Sequence, residues 1–107
     1  LEEAKKMLQS LSGRWHKVFT GLSLINADTN HYIDGFEESL VKFKTLKSSE
    51  IENYIKTGEP LDKAGAYAIQ GKGALFVEKI QGDYYNIVGL PLFRLGLLLR
   101  QFNIKIL

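Results

Sequence analysis

The sequence contains no cysteine, so neither a disulfide framework nor a thiolate metal site can form. It has only two histidines, His16 and His31, too isolated to make a metal-ligand pattern; a strand-facing or exposed histidine is the simpler reading of each. Charge of either sign is also scarce in net terms. Fourteen basic against twelve acidic residues leave a formal charge of +2, which points to no nucleic-acid or membrane partner. Long apolar runs are missing: the most apolar stretch, 90–99, is broken by Pro91, Arg94 and Gly96 and is too short to span a bilayer. The N-terminus opens with mixed acids and lysines where a signal peptide would be apolar, so a cytoplasmic protein is expected. No repeat, low-complexity tract or linker interrupts the 107 residues, which amount to one domain. A hydrophobic content of 45% with 24% charged residues suits a folded chain and argues against disorder.

What is present reads as alternating helices and strands. Leu1, Ala4, Leu8 and Leu11 follow helical spacing over 1–12, and Gly13 can close that helix in the left-handed conformation. No capping residue precedes this helix, which suggests that something upstream is missing. Residues 14–27 are rich in β-formers, with Gly21 suggesting a bulge or bend. A polar turn at 27–32 leads to a second strand over 35–46, so an antiparallel hairpin is the default. Ser48 or Ser49 can cap a helix that places Ile51, Tyr54 and Ile55 on one face. Further on, 74–81 reads as a strand, Asp83 can cap a short helical turn over 84–88, and Pro91 suits the first turn of an apolar helix over 91–102. The tail 103–107 alternates like a short edge strand. The fold class expected is α/β: a mixed, largely antiparallel sheet flanked by helices.

The information is concentrated in residues 57–73, TGEPLDKAGAYAIQGKG, with four glycines and a proline in seventeen positions. Ordering so many glycines costs chain entropy, so such a cluster marks tight turns or a backbone that comes close to something. Asp62 and Lys63 are candidates for the vicinity of a phosphate or metal; taken alone, a solvated pair at a helix start is the simpler reading. Gln70 could read a nucleobase edge, because a carboxamide donates and accepts together, though an amide at a strand end explains it as well. Gly71, Lys72 and Gly73 only weakly suggest a phosphate nest, and a hairpin turn is favoured over it.

Read together, these signals gain force. LSGRWHKVFTGLSLI, then VKFKTL, then IENYIKTGEPLDKAGAYAIQGKGALFVEKIQGDYYNIVGLPLFRL resemble the C-terminal half of the Maf family of nucleoside triphosphate pyrophosphatases, once named for inhibition of septum formation. The resemblance covers about 4–102, with LSGR and His16, TGEP, DKAGAY, IQG, GDY and GLP in order. It implies an enzyme that cleaves a nucleoside triphosphate between the α and β phosphates with a divalent metal, Mg²⁺ or Mn²⁺. It also implies one lobe of a fold of the inosine triphosphate pyrophosphatase type. The glutamine of IQG belongs to that family's specificity determinants, which maps onto Gln70 and points to the branch acting on dTTP and UTP.

The departure from the family is equally informative. Its upstream serine-arginine motif, further acid and lysine positions, and the aspartate that serves as proton acceptor are not in this sequence. Residues 1–107 are therefore expected to be the C-terminal portion of a single Maf-like domain, with no catalytic residue of their own and no activity alone. The expected partners are a nucleoside triphosphate, the missing N-terminal half, and further copies in a homo-oligomer formed through the uncovered apolar surface near 90–99. The alternative is a non-catalytic nucleotide- or protein-binding regulator of cell division.

Overall fold

A computed structural model describes residues 2–62, 67 and 69–107. The elements run α1 (Glu2–Leu11), β1 (Trp15–Ile25), β2 (Tyr32–Phe43), α2 (Ser48–Lys56), a 3₁₀ turn (Glu59–Asp62), a second 3₁₀ turn (Lys72–Phe76), β3 (Val77–Gln81), α3 (Tyr84–Val88) and α4 (Leu92–Gln101). The strands form one three-stranded sheet in the order β1-β2-β3, with β3 antiparallel to β2. This is the α/β arrangement with an antiparallel sheet that the sequence predicts.

Two units divide the chain, each assembled from two stretches. The first contains Leu1–Lys17 and Leu40–Gln81. Its core is Leu8, Val41, Phe43, Ile51, Tyr54 and Phe76, all buried. Gly13 ends α1 at φ +68, the conformation expected of it, and its N–H donates to the Lys44 carbonyl at 3.0 Å. The cap of α2 is Lys47 rather than Ser48 or Ser49. Glu50 explains the shift: its carboxylate accepts the Lys47 N–H at 2.9 Å and pairs with the Lys44 ammonium, which fixes the helix start one residue earlier. The strand β2 also ends at Phe43, three residues short of expectation. Beyond it, the Lys44 N–H donates to the Phe76 carbonyl and the Leu46 N–H to the Ser12 hydroxyl, so the backbone leaves the ladder for other acceptors. Only 77–81 of the expected strand 74–81 is extended, since the 3₁₀ turn Lys72–Phe76 takes the start.

The second unit contains Val18–Ser39 and Gly82–Leu107. The strand β1 runs through Gly21 with regular alternation of exposed and half-buried residues, so the bend suggested by that glycine is not seen. Asp83 caps α3 as expected, accepting the Tyr85 N–H at 2.8 Å. Pro91 is the buried cap of α4 rather than its first residue. Leu98 is the buried residue of that helix, while Leu92, Leu97 and Phe93 are exposed, Phe93 by 75%. The tail is not an edge strand. Asn103 takes a left-handed φ of +61, and the Ile104 N–H returns to the Leu99 carbonyl at 3.0 Å, which folds 103–104 against the end of α4. No helix among the described residues is long and apolar enough to cross a membrane.

Candidate functional site

Each residue of the TGEP motif has a separate task at the end of α2. The Thr57 hydroxyl donates to the Tyr54 carbonyl at 2.6 Å and accepts the Glu59 N–H at 3.2 Å, closing the helix. Gly58 sits at φ +78, where a side chain would be strained. Pro60 is buried and lies within the 3₁₀ turn Glu59–Asp62, where its fixed φ suits helical geometry.

Glu59 then reaches across to the glycine-rich segment. Its Oε1 accepts the Lys72 N–H at 3.0 Å and its Oε2 the Gly73 N–H at 3.2 Å. A hydrogen bond from Tyr54, followed by the two backbone amides and the Lys72 charge, holds the Glu59 carboxyl below its ordinary value of 4.5, so it is ionised at neutral pH. Gly71-Lys72-Gly73 is thus neither the favoured hairpin turn nor an open phosphate nest. Two of its amides point at an anion, and the anion is the protein's own carboxylate.

The other end of the segment is held by rings. Tyr67 packs edge-on against Phe43, with ring centroids 4.8 Å apart, and against His16 at 5.6 Å. Its hydroxyl lies 2.7 Å from His16 Nε2. Burial pushes the Tyr67 phenol up to about 12 and lowers the His16 imidazole below 6.5, so both are neutral at neutral pH. Phe43 continues to Phe76 at 6.1 Å, and Phe76 to Tyr54 at 5.1 Å, which returns to Glu59. The segment is therefore anchored at 67 and again at 72–73 within the first unit. Gln70 lies between these anchors, exposed, in the turn 69–71. Beside the second anchor, a cleft of about 260 Å³ is lined by residues including Asn53, Tyr54, Thr57, Lys72 and Phe76.

Of the site residues read from the sequence, Gln70 is placed by this geometry. Lys63 and the side chain of Asp62, the expected phosphate or metal vicinity, lie outside the described residues. His16 lies on a strand, as the simpler reading had it, and its Nε2 meets the Tyr67 hydroxyl, a partner that reading did not name. Sequence reasoning gave no site role to Glu59 or Tyr67 and read Tyr54 only as part of the apolar face of its helix. A signal existed for Glu59, an acid wedged between glycine and proline in TGEP, but the two amides it accepts are thirteen and fourteen residues away and no local pattern names them. Among the described residues no group of three His, Asp or Glu side chains could hold a metal ion.

Comparison with known proteins bears on this arrangement. A family model described as Maf-like protein matches residues 1–102. A protein from Alkaliphilus oremlandii named dTTP/UTP pyrophosphatase is 53% identical over 107 residues, covering 99% of this chain and 56% of that protein. Proteins of the same name from Methanosarcina barkeri and Clostridioides difficile are 50% and 58% identical, covering 98% and 92% of this chain and 53% and 51% of their own lengths. The chain spans about half the length of these curated relatives.

Proposed function

Since the chain belongs to the Maf-like protein family, we propose that it is the base-recognising part of a nucleoside triphosphate pyrophosphatase acting on dTTP and UTP. The observation that supports this most directly is the near-complete alignment of residues 1–107 with relatives bearing that name. In this reading residues 1–107 are the C-terminal portion of one Maf-like domain, and the aspartate that accepts the proton from water lies in a part of the protein outside them. The protein is cytoplasmic and its substrate is a pyrimidine nucleoside triphosphate.

Water attacks the α phosphorus in line and pyrophosphate leaves, yielding the nucleoside monophosphate. A divalent ion, Mg²⁺ or Mn²⁺, neutralises the phosphate charge in such a displacement. The described residues do not supply a donor set for that ion. What this chain contributes is recognition. The Gln70 carboxamide can accept from the N3–H of uracil or thymine while donating to an adjacent carbonyl. Its position on an exposed turn between two anchors supports that role, because a held amide loses less freedom on binding. Asp62 and Lys63, next in the same segment, are proposed to stand near the phosphates.

The test is pyrophosphate release by the longest polypeptide the source gene encodes, offered UTP, dTTP and 7-methyl-GTP with Mg²⁺ or Mn²⁺. Turnover with a pyrimidine preference, reduced in Gln70→Ala while the metal requirement is kept, is the expected result. Absence of turnover with all three would move the reading to a non-catalytic nucleotide binder. Homo-oligomer formation is part of the proposal. Phe93, exposed by 75%, and the stacked pair Phe19 and Phe36, each exposed by 61%, support it, and a monomer by light scattering at high concentration would remove it.

A further inference from the structure

Glu59 is fixed at both its root and its tip. At the root, Gly58 and the buried Pro60 constrain the backbone and the Thr57 hydroxyl takes the Glu59 N–H. At the tip, the carboxylate takes the amides of Lys72 and Gly73 and a hydrogen bond from Tyr54. It also lies flat against Gly71: a Cβ on that residue would fall 2.0 Å from Glu59 Oε1 and 2.7 Å from its Cδ. Only glycine leaves room for the carboxylate there. The Gly71 carbonyl is itself engaged by the Ala74 N–H at 3.1 Å, so the backbone immediately after Gln70 has little freedom.

We infer that Glu59 is a positioning residue for Gln70: its carboxylate sets the backbone of 71–73, and through it the orientation in which the Gln70 amide meets a nucleobase. The inference rests on the proposed reading of Gln70 as the base-recognising residue. Glu59 touches no substrate in this role. It spends its two oxygens on the protein's own amides, which explains why an ionised carboxylate stands beside a segment that is to meet a polyanion. Orientation matters here because a hydrogen bond specifies a base only when donor and acceptor are aligned.

The experiment compares Glu59→Ala, Glu59→Gln, Gln70→Ala and the double variant Glu59→Ala/Gln70→Ala in the longest polypeptide the source gene encodes. Two quantities are read: the ratio of kcat/KM for UTP over 7-methyl-GTP, and the shift of the Gln70 side-chain amide signals on titration with UMP. Glu59→Ala is expected to lower the ratio by about tenfold to a hundredfold, the scale at which a small misplacement is felt. The double variant should be no less selective than Gln70→Ala alone, because both changes remove the same contact. Glu59→Gln, which keeps the length and one acceptor but turns an N–H₂ toward a backbone donor, should fall between; if Glu59→Ala does not fold, this variant decides alone. An unchanged ratio in the Glu59 variants while Gln70→Ala loses selectivity would overturn the inference and leave the role of Gln70 standing. Full selectivity in Gln70→Ala would overturn both. If the unsubstituted protein releases no pyrophosphate, the proposed activity fails and the titration decides the inference. Gln70 signals that move with UMP in the parent and not in the Glu59 variants support it; equal movement, or none in the parent, overturns it.

Discussion

His16 Nε2 lies 2.7 Å from the Tyr67 hydroxyl while its Nδ1 is buried with no partner among the described residues. The protonated ring carries an N–H on both nitrogens, and the buried Nδ1 edge offers its N–H no acceptor among the described residues. Burial accordingly lowers the imidazole below its ordinary 6.5. The unfolded chain then binds a proton in a range where the folded one does not, so folding stability is complete above 6.5 and is lost as pH falls through the folded value. Tyr67, pushed up to about 12, does not titrate in that range, and Glu50 and Glu59, held below 4.5, do so only in stronger acid. Denaturant unfolding should therefore show stability falling with acidification just below 6.5, with a slope of at most about 1.4 kcal/mol per pH unit for one proton. The slope should vanish in His16→Gln. A parent protein with no slope there would contradict the buried placement of Nδ1.

Asn86 is fully buried, and its Nδ2 donates to the Val18 carbonyl and the Ser39 hydroxyl, both at 3.0 Å. Ser39 in turn exchanges bonds with the backbone of Asp83, donating to its carbonyl and accepting its N–H. One amide thus ties β1, β2 and the start of α3 within the second unit. Asn86→Leu removes both donors and leaves a buried carbonyl unpaired, at a cost of about 2 kcal/mol. Asn86→Asp should cost more, because a buried charge would face the Val18 carbonyl oxygen. Chemical denaturation of the two variants checks the order; equal stabilities would mean that the amide is not what joins these segments.

Much of this architecture was legible in the sequence, and the parts that were not share a cause. Helical spacing located α1 and α2, β-rich composition β1, the Asp83 cap α3, and Pro91 with the apolar run after it α4, because each of these signals is written locally, as in Ile51 and Tyr54. Gly13 and Asp83 were legible as end signals because capping is also local. The end of β2, the cap at Lys47 and the 3₁₀ turn Lys72–Phe76 were missed because each is decided by a partner distant in sequence or by a side chain with several competing uses. The backbone of 44–46 goes to Phe76 and Ser12, and Glu50 serves Lys47 and Lys44 together. The candidate site shows the same division. Gln70 stood out by resemblance, whereas Glu59 and Tyr67 acquire their roles only when chain segments 13 and 51 residues apart meet.

Two glycines with opposite surroundings test how far local freedom matters. Gly21 lies in β1 with nothing within 4 Å of a Cβ and an ordinary φ, so its freedom is not used by the fold. Gly21→Ala should leave stability unchanged or raise it by about 0.4–1 kcal/mol through the unfolded chain. Gly82 sits at φ +109, and a Cβ would meet Ser39 Oγ at 3.0 Å and Cα at 3.2 Å. Gly82→Ala should cost about 1–3 kcal/mol from backbone strain alone. Thermal unfolding of the pair gives opposite signs if the two environments are as described.

Gly71 offers a coupling test that needs no substrate. Adding a methyl group there would displace the Glu59 carboxylate, whose nearest oxygen would be only 2.0 Å away. The change should act first on that carboxylate, because φ at Gly71, −103, lies outside the left-handed region and the three nearest atoms a Cβ would meet all belong to the Glu59 carboxyl group. Gly71→Ala is therefore expected to speed amide hydrogen exchange at Lys72 and Gly73 in the parent background, since it frees the two N–H groups that Glu59 holds. In a Glu59→Ala background those amides are already released, so the same substitution should change their exchange little. Independent, additive effects would mean that Gly71 is required for some reason other than the approach of Glu59. Non-additive effects would tie the IQG glycine and the TGEP acid into one device, separated by twelve positions in the chain and in contact in the fold.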